Sequence, residues 1–145
     1  MLHPIPAQAA GTGGGANHRG NLSDWVLLKD NHLALLGIDE AVARARSRWP
    51  GRTVHVECGD IAQARAAVAA GADALLLDNM TPDEVRAVVA EVRAQDARRP
   101  LLEISGTVTL DTVATYATSG ADMVSIGALT HSAPVLDIGL DVIDD

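Results

Sequence analysis

The chain has 145 residues, 11 of them basic and 19 acidic, for a formal net charge of −8 at pH 7. A chain of this length buries about 70% of its unfolded surface, enough for one domain with a core of its own. The acidic balance excludes the basic footprint of a nucleic-acid binder, the 48% apolar content excludes general disorder, and no apolar run approaches the ~18 residues that mark a membrane span.

Phe is absent and only Trp25, Trp49 and Tyr116 are aromatic, so the core must be aliphatic. That suits parallel strands beneath Ala-rich helices. Cys58 is the single cysteine, which forbids an internal disulfide and fits a reducing cytoplasm. The first residues carry no charged region followed by an apolar one, so no signal peptide is expected. Lys29 is the only lysine among the eleven basic residues; its compact ammonium is not equivalent to a guanidinium at a binding site.

Residues 1–12 read as an irregular leader, and 11–15 (GTGGG) as a glycine turn segment. Trp25 to Lys29 predicts a short strand. Asp39 to Trp49 predicts a helix with Ile38, Val42, Ala45 and Trp49 on one face, stopped by Pro50-Gly51. Val54 to Cys58 predicts a strand, and Asp60 caps a helix to about Ala70 with Gly71 closing it. Ala74 to Asp78 is a buried strand. Thr81, Pro82 and Glu84 have the spacing of a capping box opening a helix to about Gln95. Leu101 to Ser105 is a strand, Asp111 to Thr118 a helix closed by Gly120, and Met123 to Ile126 a strand; Leu136 to Leu140 adds a short one. The join Ala70-Gly71-Ala72-Asp73 is echoed by Ser119-Gly120-Ala121-Asp122. Alternating strands and helices predict α/β architecture with five to six parallel β/α units, too few for a closed eightfold barrel. The expectation is an incomplete, open, TIM-like β/α barrel; an open doubly wound sheet is the competing arrangement.

Side chains two apart on a strand share a face. His55 and Glu57 lie opposite Val54, Val56 and Cys58, and Glu103 shares a face with Ser105. Lys29, Glu57, Asp78, Ser105 and Gly127 all fall at C-terminal strand ends, the rim where barrels and open sheets carry chemistry. One charged residue at a strand end only begins a solvated loop, but five in register mark a site. Glu103, inside a strand, must be paired with a cation or protonated. Cys58 belongs to the core. Gly11 to Ala16 has the letters of a dinucleotide fingerprint but follows no strand, Asn21-Leu22-Ser23 is a glycosylation acceptor by letters alone, and no histidine pair has metal-ligand spacing.

Five stretches together resemble one family: Gly13-Gly14-Gly15-Ala16-Asn17-His18-Arg19, Leu28-Lys29-Asp30-Asn31-His32, Leu77-Asp78-Asn79-Met80, Glu103-Ile104-Ser105-Gly106 and Gly127-Ala128-Leu129-Thr130-His131-Ser132. In this order they are similar to the C-terminal barrel domain of quinolinate phosphoribosyltransferase, spanning residues 13–145 here. The resemblance implies phosphoribosyl transfer from phosphoribosyl pyrophosphate (PRPP) to quinolinate with decarboxylation, a pentosyltransferase step of NAD biosynthesis. It also implies a cytoplasmic homodimer with small-molecule substrates, no nucleic acid and no membrane partner.

Carried over by position, His18, Arg19 and Lys29 would line the quinolinate pocket, where a dianion needs charge-assisted bonds. Glu57 and Asp78, with Lys29 the implied catalytic residues, would hold the ribose hydroxyls and the Mg2+ that arrives with PRPP, without a metal bound directly by protein alone. Ser105, Gly106, Gly127 and His131 would cradle the 5′-phosphate. Two positions depart from the family pattern. His55-Val56-Glu57 replaces the usual Glu-x-Glu, and Ser105-Gly106-Thr107 the usual Ser-Gly-Gly. Met1 to Ala10 shows no trace of the family's Arg-Lys segment before the glycines, so the N-terminal domain and its cross-dimer arginine are expected to be absent. Such a chain would bind phosphate better than it turns over quinolinate; the alternative is a non-catalytic phosphate-binding remnant or interaction subunit.

Overall fold

The computed structural model describes residues 13–94, 99–132 and 135–140. Among them five strands form one all-parallel sheet: β1 (Val26–Leu28), β2 (Val54–Cys58), β3 (Ala74–Asp78), β4 (Leu101–Ser105) and β5 (Met123–Val124). Their spatial order is β1-β2-β3-β4-β5. A doubly wound sheet reverses direction partway; this one advances in one sense and stays unclosed, as an incomplete barrel does. The crossovers are α1 (Asp30–Leu36) and α2 (Ile38–Arg48), α3 (Ile61–Ala69), α4 (Pro82–Ala94) and α5 (Leu110–Ala117), with α6 (Ala128–His131) after β5.

The alternation of the strands explains the layering. Leu28, Val54, Val56, Cys58, Leu75, Leu77, Leu102 and Ile104 form one core with Val42, Ala45, Ala64, Ala67, Val85, Val88 and Val92 of the helices. Alanines on α2 and α3 let those helices approach closely, and no aromatic ring is needed to fill the layer. Thus the convex face carries the apolar packing, and the intervening strand residues (His55, Glu57, Glu103) are left for the concave face.

The repeated Gly-Ala-Asp join is a brace. At β3, Asp73 accepts the Val54 N–H at 2.8 Å and Arg46 of α2 at 3.0 Å, while its own N–H bonds the Val54 carbonyl. At β5, Asp122 accepts the Leu102 N–H at 2.8 Å and the Arg93 guanidinium of α4. Each aspartate ties the start of its strand to the neighbouring strand and to a helix three elements back.

The predicted β2, β3 and β4 match the observed bounds. Asp60 caps α3 by accepting the Gln63 N–H at 2.8 Å, and Thr81 and Glu84 form the reciprocal box of α4. Four expectations are corrected. β1 ends at Leu28, because Lys29 turns into α1, a helix absent from the sequence reading; His32 Nδ1 accepts the Lys29 N–H at 3.0 Å and replaces a strand bond. Trp49 is not on the buried face of its helix but follows α2 and is 52% exposed. β5 stops at Val124, since Gly127 already opens α6. Leu136 to Leu140 form no strand; Leu136, Ile138 and Leu140 stand in solvent. The leader at 1–12 and the helix end at Gln95 lie outside the described residues.

Candidate active site

Parallel register carries all five rim positions to one end of the sheet. Leu28 pairs with Val56, so Lys29 and Glu57 are neighbours, and Asp78 pairs directly with Ser105. The Lys29 ammonium forms an ion pair with Glu57 Oε1, and Glu57 Oε2 accepts the Asp30 N–H at 3.5 Å. Glu57 and Asp78 face a common cleft of about 590 Å3, whose wall includes Asp30, Leu33 and Gln63. Among the described residues no three His, Cys, Asp or Glu side chains gather as metal ligands. Glu57 and Asp78 nonetheless present hard carboxylate oxygens to the same cleft, a fit for a Mg2+ that brings its remaining ligands with a diphosphate.

Two loops complete the rim. After β4, Ser105 is followed by Gly106 at φ +107°, where a Cβ would come within 2.8 Å of both Cγ and the backbone nitrogen of Asn79. No side chain fits there, which requires glycine at this exposed turn. After β5, the His131 ring folds back over Gly127, where a Cβ would meet Nε2 at 3.0 Å. His131 Nδ1 shares a 2.7 Å hydrogen bond with the Ser132 hydroxyl, which fixes the ring plane.

Below the rim the concave face is polar. Glu103 is wholly buried, and its Oε1 lies 3.0 Å from His18 Nε2 and accepts the Ser125 hydroxyl. Its Oε2 has no hydrogen-bond partner. Glu103 thus has His18 and Ser125 as partners for one of its two oxygens. The His18 ring stands edge-on to Trp25 at 5.0 Å, and Trp25 stacks on His55 at 4.9 Å. Burial, assisted by His18 and Arg19 and opposed by Glu103, holds the His55 pKa below its ordinary 6.5. His55 is therefore a neutral stacking ring where the family pattern has a carboxylate. Cys58 is buried in the convex core, and desolvation pushes its thiol pKa up to about 12, so it stays an unreactive core group.

The structure accordingly assembles His18, Lys29, Glu57, Asp78, Ser105, Gly106, Gly127 and His131 at one end or on the inner face of the sheet, with Arg19 close enough to His55 to act on it electrostatically. It adds two residues that sequence reasoning passed over. Trp25 is the plate between His18 and His55, and its place one residue before β1 was the available signal. Asn79 bridges the β3 and β4 ends, and its position directly after Asp78 was the signal.

Residues 1–141 match the family described as quinolinate phosphoribosyl transferase, C-terminal domain. The chain belongs to this family. Similar curated relatives are the carboxylating nicotinate-nucleotide pyrophosphorylases of Mycobacterium leprae, 39% identical over 97% of this chain and 50% of the relative, and of Homo sapiens, 38% identical over 88% and 43%. Among solved structures, NadC from Streptococcus pyogenes superposes with a TM-score of 0.81 at 38% identity, covering 96% of this chain and 49% of that one. The chain spans about half the length of the curated relatives it matches. The phosphoribosyl transferase resemblance rested on five stretches; four of them bring Lys29, Asp78, Ser105 and Gly127 to the rim, and the fifth lays His18 against Glu103 on the concave face.

Proposed function

We propose that this chain supplies the barrel half of the site that transfers the phosphoribosyl group of PRPP to quinolinate. The products are nicotinate mononucleotide, pyrophosphate and carbon dioxide. The observation that carries the reading is the convergence of one lysine, two carboxylates and two glycine-bearing loops on a single rim, above a concave face entered by His18. The names of the relatives support the same chemistry.

Ser105, Gly106, Gly127 and His131 receive the 5′-phosphate through hydroxyl, backbone and ring N–H groups. Glu57 and Asp78 hold the ribose hydroxyls and would hold a magnesium ion arriving with PRPP, which would supply positive charge to the diphosphate. His18, Arg19 and Lys29 bind the two carboxylates of quinolinate and aim its ring nitrogen at the anomeric carbon. As the carbon–oxygen bond to diphosphate breaks, positive charge grows on the sugar, and the fixed carboxylates of Glu57 and Asp78 stabilise it. Lys29 is released from Glu57 to meet the anionic substrate. The carboxylate beside the ring nitrogen leaves as carbon dioxide, its electron pair stabilised by the adjacent pyridinium until a proton replaces it. No helix among the described residues is long and apolar enough to cross a membrane. The resemblance further implies a second copy of the chain as partner, and the single thiol of Cys58, which is buried, supports a reducing cytoplasm.

Calorimetric titration of the chain with inorganic phosphate, with PRPP plus magnesium, and with quinolinate tests this reading. A lost charge-assisted bond of about 1.5–3 kcal/mol weakens binding roughly ten- to a hundredfold. His131→Ala should therefore abolish measurable phosphate binding, whereas Arg19→Ala should leave it intact and weaken quinolinate. A chain that binds none of the three ligands, or a His131→Ala variant with parental phosphate affinity, overturns the reading.

A further inference from the structure

Asn79 follows Asp78 with φ +54°, the only non-glycine residue at positive φ among the described residues. Such a conformation persists when its surroundings hold it in place, and here four hydrogen bonds do so. The Asn79 N–H donates to the Ser105 carbonyl at 3.0 Å. Its Nδ2 donates to Asp78 Oδ2 at 2.8 Å. Its Oδ1 accepts both the N–H and the hydroxyl of Thr107, each at 3.2 Å. The orientation of the amide is determined twice over: only an oxygen can face the Thr107 N–H, and only a nitrogen can face a carboxylate. Gly106 packs so tightly under this amide that a methyl group there would collide with Asn79. One side chain thus bolts the Asp78 carboxylate at the end of β3 to the Ser105–Thr107 loop at the end of β4. Thr107, where the family pattern has a glycine, contributes one of the bolts through its hydroxyl.

We propose that Asn79 is a positioning residue that sets the distance between the two anionic ends of PRPP, with Thr107 as its second anchor. The proposal rests on the function above: Asp78 serves the diphosphate end and the Ser105–Gly106 peptide serves the 5′-phosphate end. Neither end alone needs the bridge, because a free phosphate contacts only the loop. A ligand spanning both ends needs them held at a fixed separation, and pre-organisation is what the bridge supplies.

Asn79→Gly separates this role from that of a turn residue. Glycine adopts positive φ without strain, so a turn requirement alone is met by the variant. The bridge predicts PRPP–magnesium affinity about tenfold weaker by calorimetry, with inorganic phosphate affinity within about twofold of the parent. Thr107→Val should weaken PRPP about threefold, and Thr107→Ser should restore it. Amide hydrogen exchange at Thr107 should accelerate in Asn79→Gly whether or not ligand is present. Parental PRPP affinity in Asn79→Gly overturns the proposal, as do equal losses of PRPP and phosphate, or a Thr107→Ser variant indistinguishable from Thr107→Val. A parent chain that binds phosphate but not PRPP overturns the PRPP role and the functional reading together. Accelerated exchange at Thr107 would then leave Asn79 as a structural brace only.

Discussion

Replacing Glu103 by leucine should cost the fold less than removing its exposed partner, although Glu103 is the more deeply buried of the two. Glu103 is fully inaccessible, whereas the His18 side chain keeps 36% of its surface in water. The carboxyl group is cut off from water, and its Oε2 gains no hydrogen bond in return; an unsatisfied buried acceptor of this kind costs about 1–3 kcal/mol. Leucine relieves that cost. Against it stands the Ser125 hydroxyl bond to the carboxylate, worth about 1.5–3 kcal/mol, and the part-exposed His18 contact, worth at most about 1 kcal/mol. The midpoints leave a loss of about 1 kcal/mol, between limits of about 1.5 kcal/mol gained and about 3 kcal/mol lost. His18→Ala does the opposite. It leaves a buried carboxylate with only the serine, and stripping one partner from a buried charge costs up to about 3–5 kcal/mol, here about 2–3 because water follows the histidine out. Urea denaturation of both variants at pH 7.5 measures the difference. Quinolinate titration should show the functional side: without its carboxylate, His18 loses its orientation, and affinity falls about tenfold in Glu103→Leu. A leucine variant destabilised by more than about 3 kcal/mol and by more than His18→Ala would refute the reasoning, because Glu103 would then be a net stabiliser rather than a residue held at the fold's expense.

The Asp122 brace predicts a split between two substitutions. Asp122→Asn keeps an oxygen for the Leu102 N–H and should cost under about 1 kcal/mol, while Asp122→Ala orphans that N–H, loses Arg93 and should cost about 2–4 kcal/mol; equal costs in urea unfolding would show that the backbone bond contributes little. His55 predicts a pH dependence. Its folded pKa lies below the ordinary 6.5 because burial disfavours the imidazolium, so below 6.5 the unfolded chain binds more protons and stability falls with falling pH. The loss should be shallower in His55→Asn, read as melting temperatures at pH 7.5 and 5.5 for both proteins; identical slopes would remove His55 from the account.

How much of this could be read from the residues alone depended on periodicity. The three central strands are short apolar runs bounded by turn or capping residues, and they fall where alternation and capping place them. Once their ends are known, so are Glu57, Asp78 and Ser105, because the parallel register carries every C-terminal end to one rim. α1 escaped for the same reason in reverse. Its seven residues carry apolar Leu33 and Leu36 but no buried residue, and its start is fixed by the His32 ring bonding a backbone N–H, which no pattern of hydropathy records. Trp49 was assigned to a buried face because helical spacing allows it, but the helix ends one residue earlier and the ring turns outward. The partner of Glu103 was invisible as well. A carboxyl group inside a strand required some polar partner, yet only the folding of the 13–20 segment over the sheet selects His18.

The division of labour between the two ends of the sheet has a physical cause. At the N-terminal ends the aspartates are spent on strand N–H groups and arginines, so their charge is neutralised locally and contributes to holding the strands together. At the C-terminal ends the charges are either paired provisionally, as Lys29 is with Glu57, or held in place by an uncharged neighbour, as Asp78 is by Asn79. A lysine on a partly exposed carboxylate is held by about 1 kcal/mol or less, and a dianionic ligand can draw it away. An aspartate fixed by an amide is oriented through one oxygen, and the other stays outside that bond. The same residue type therefore serves opposite purposes at the two ends. What separates them is the partner, a guanidinium that quenches the carboxylate at Asp73 and Asp122 and an amide that only aims it at Asp78.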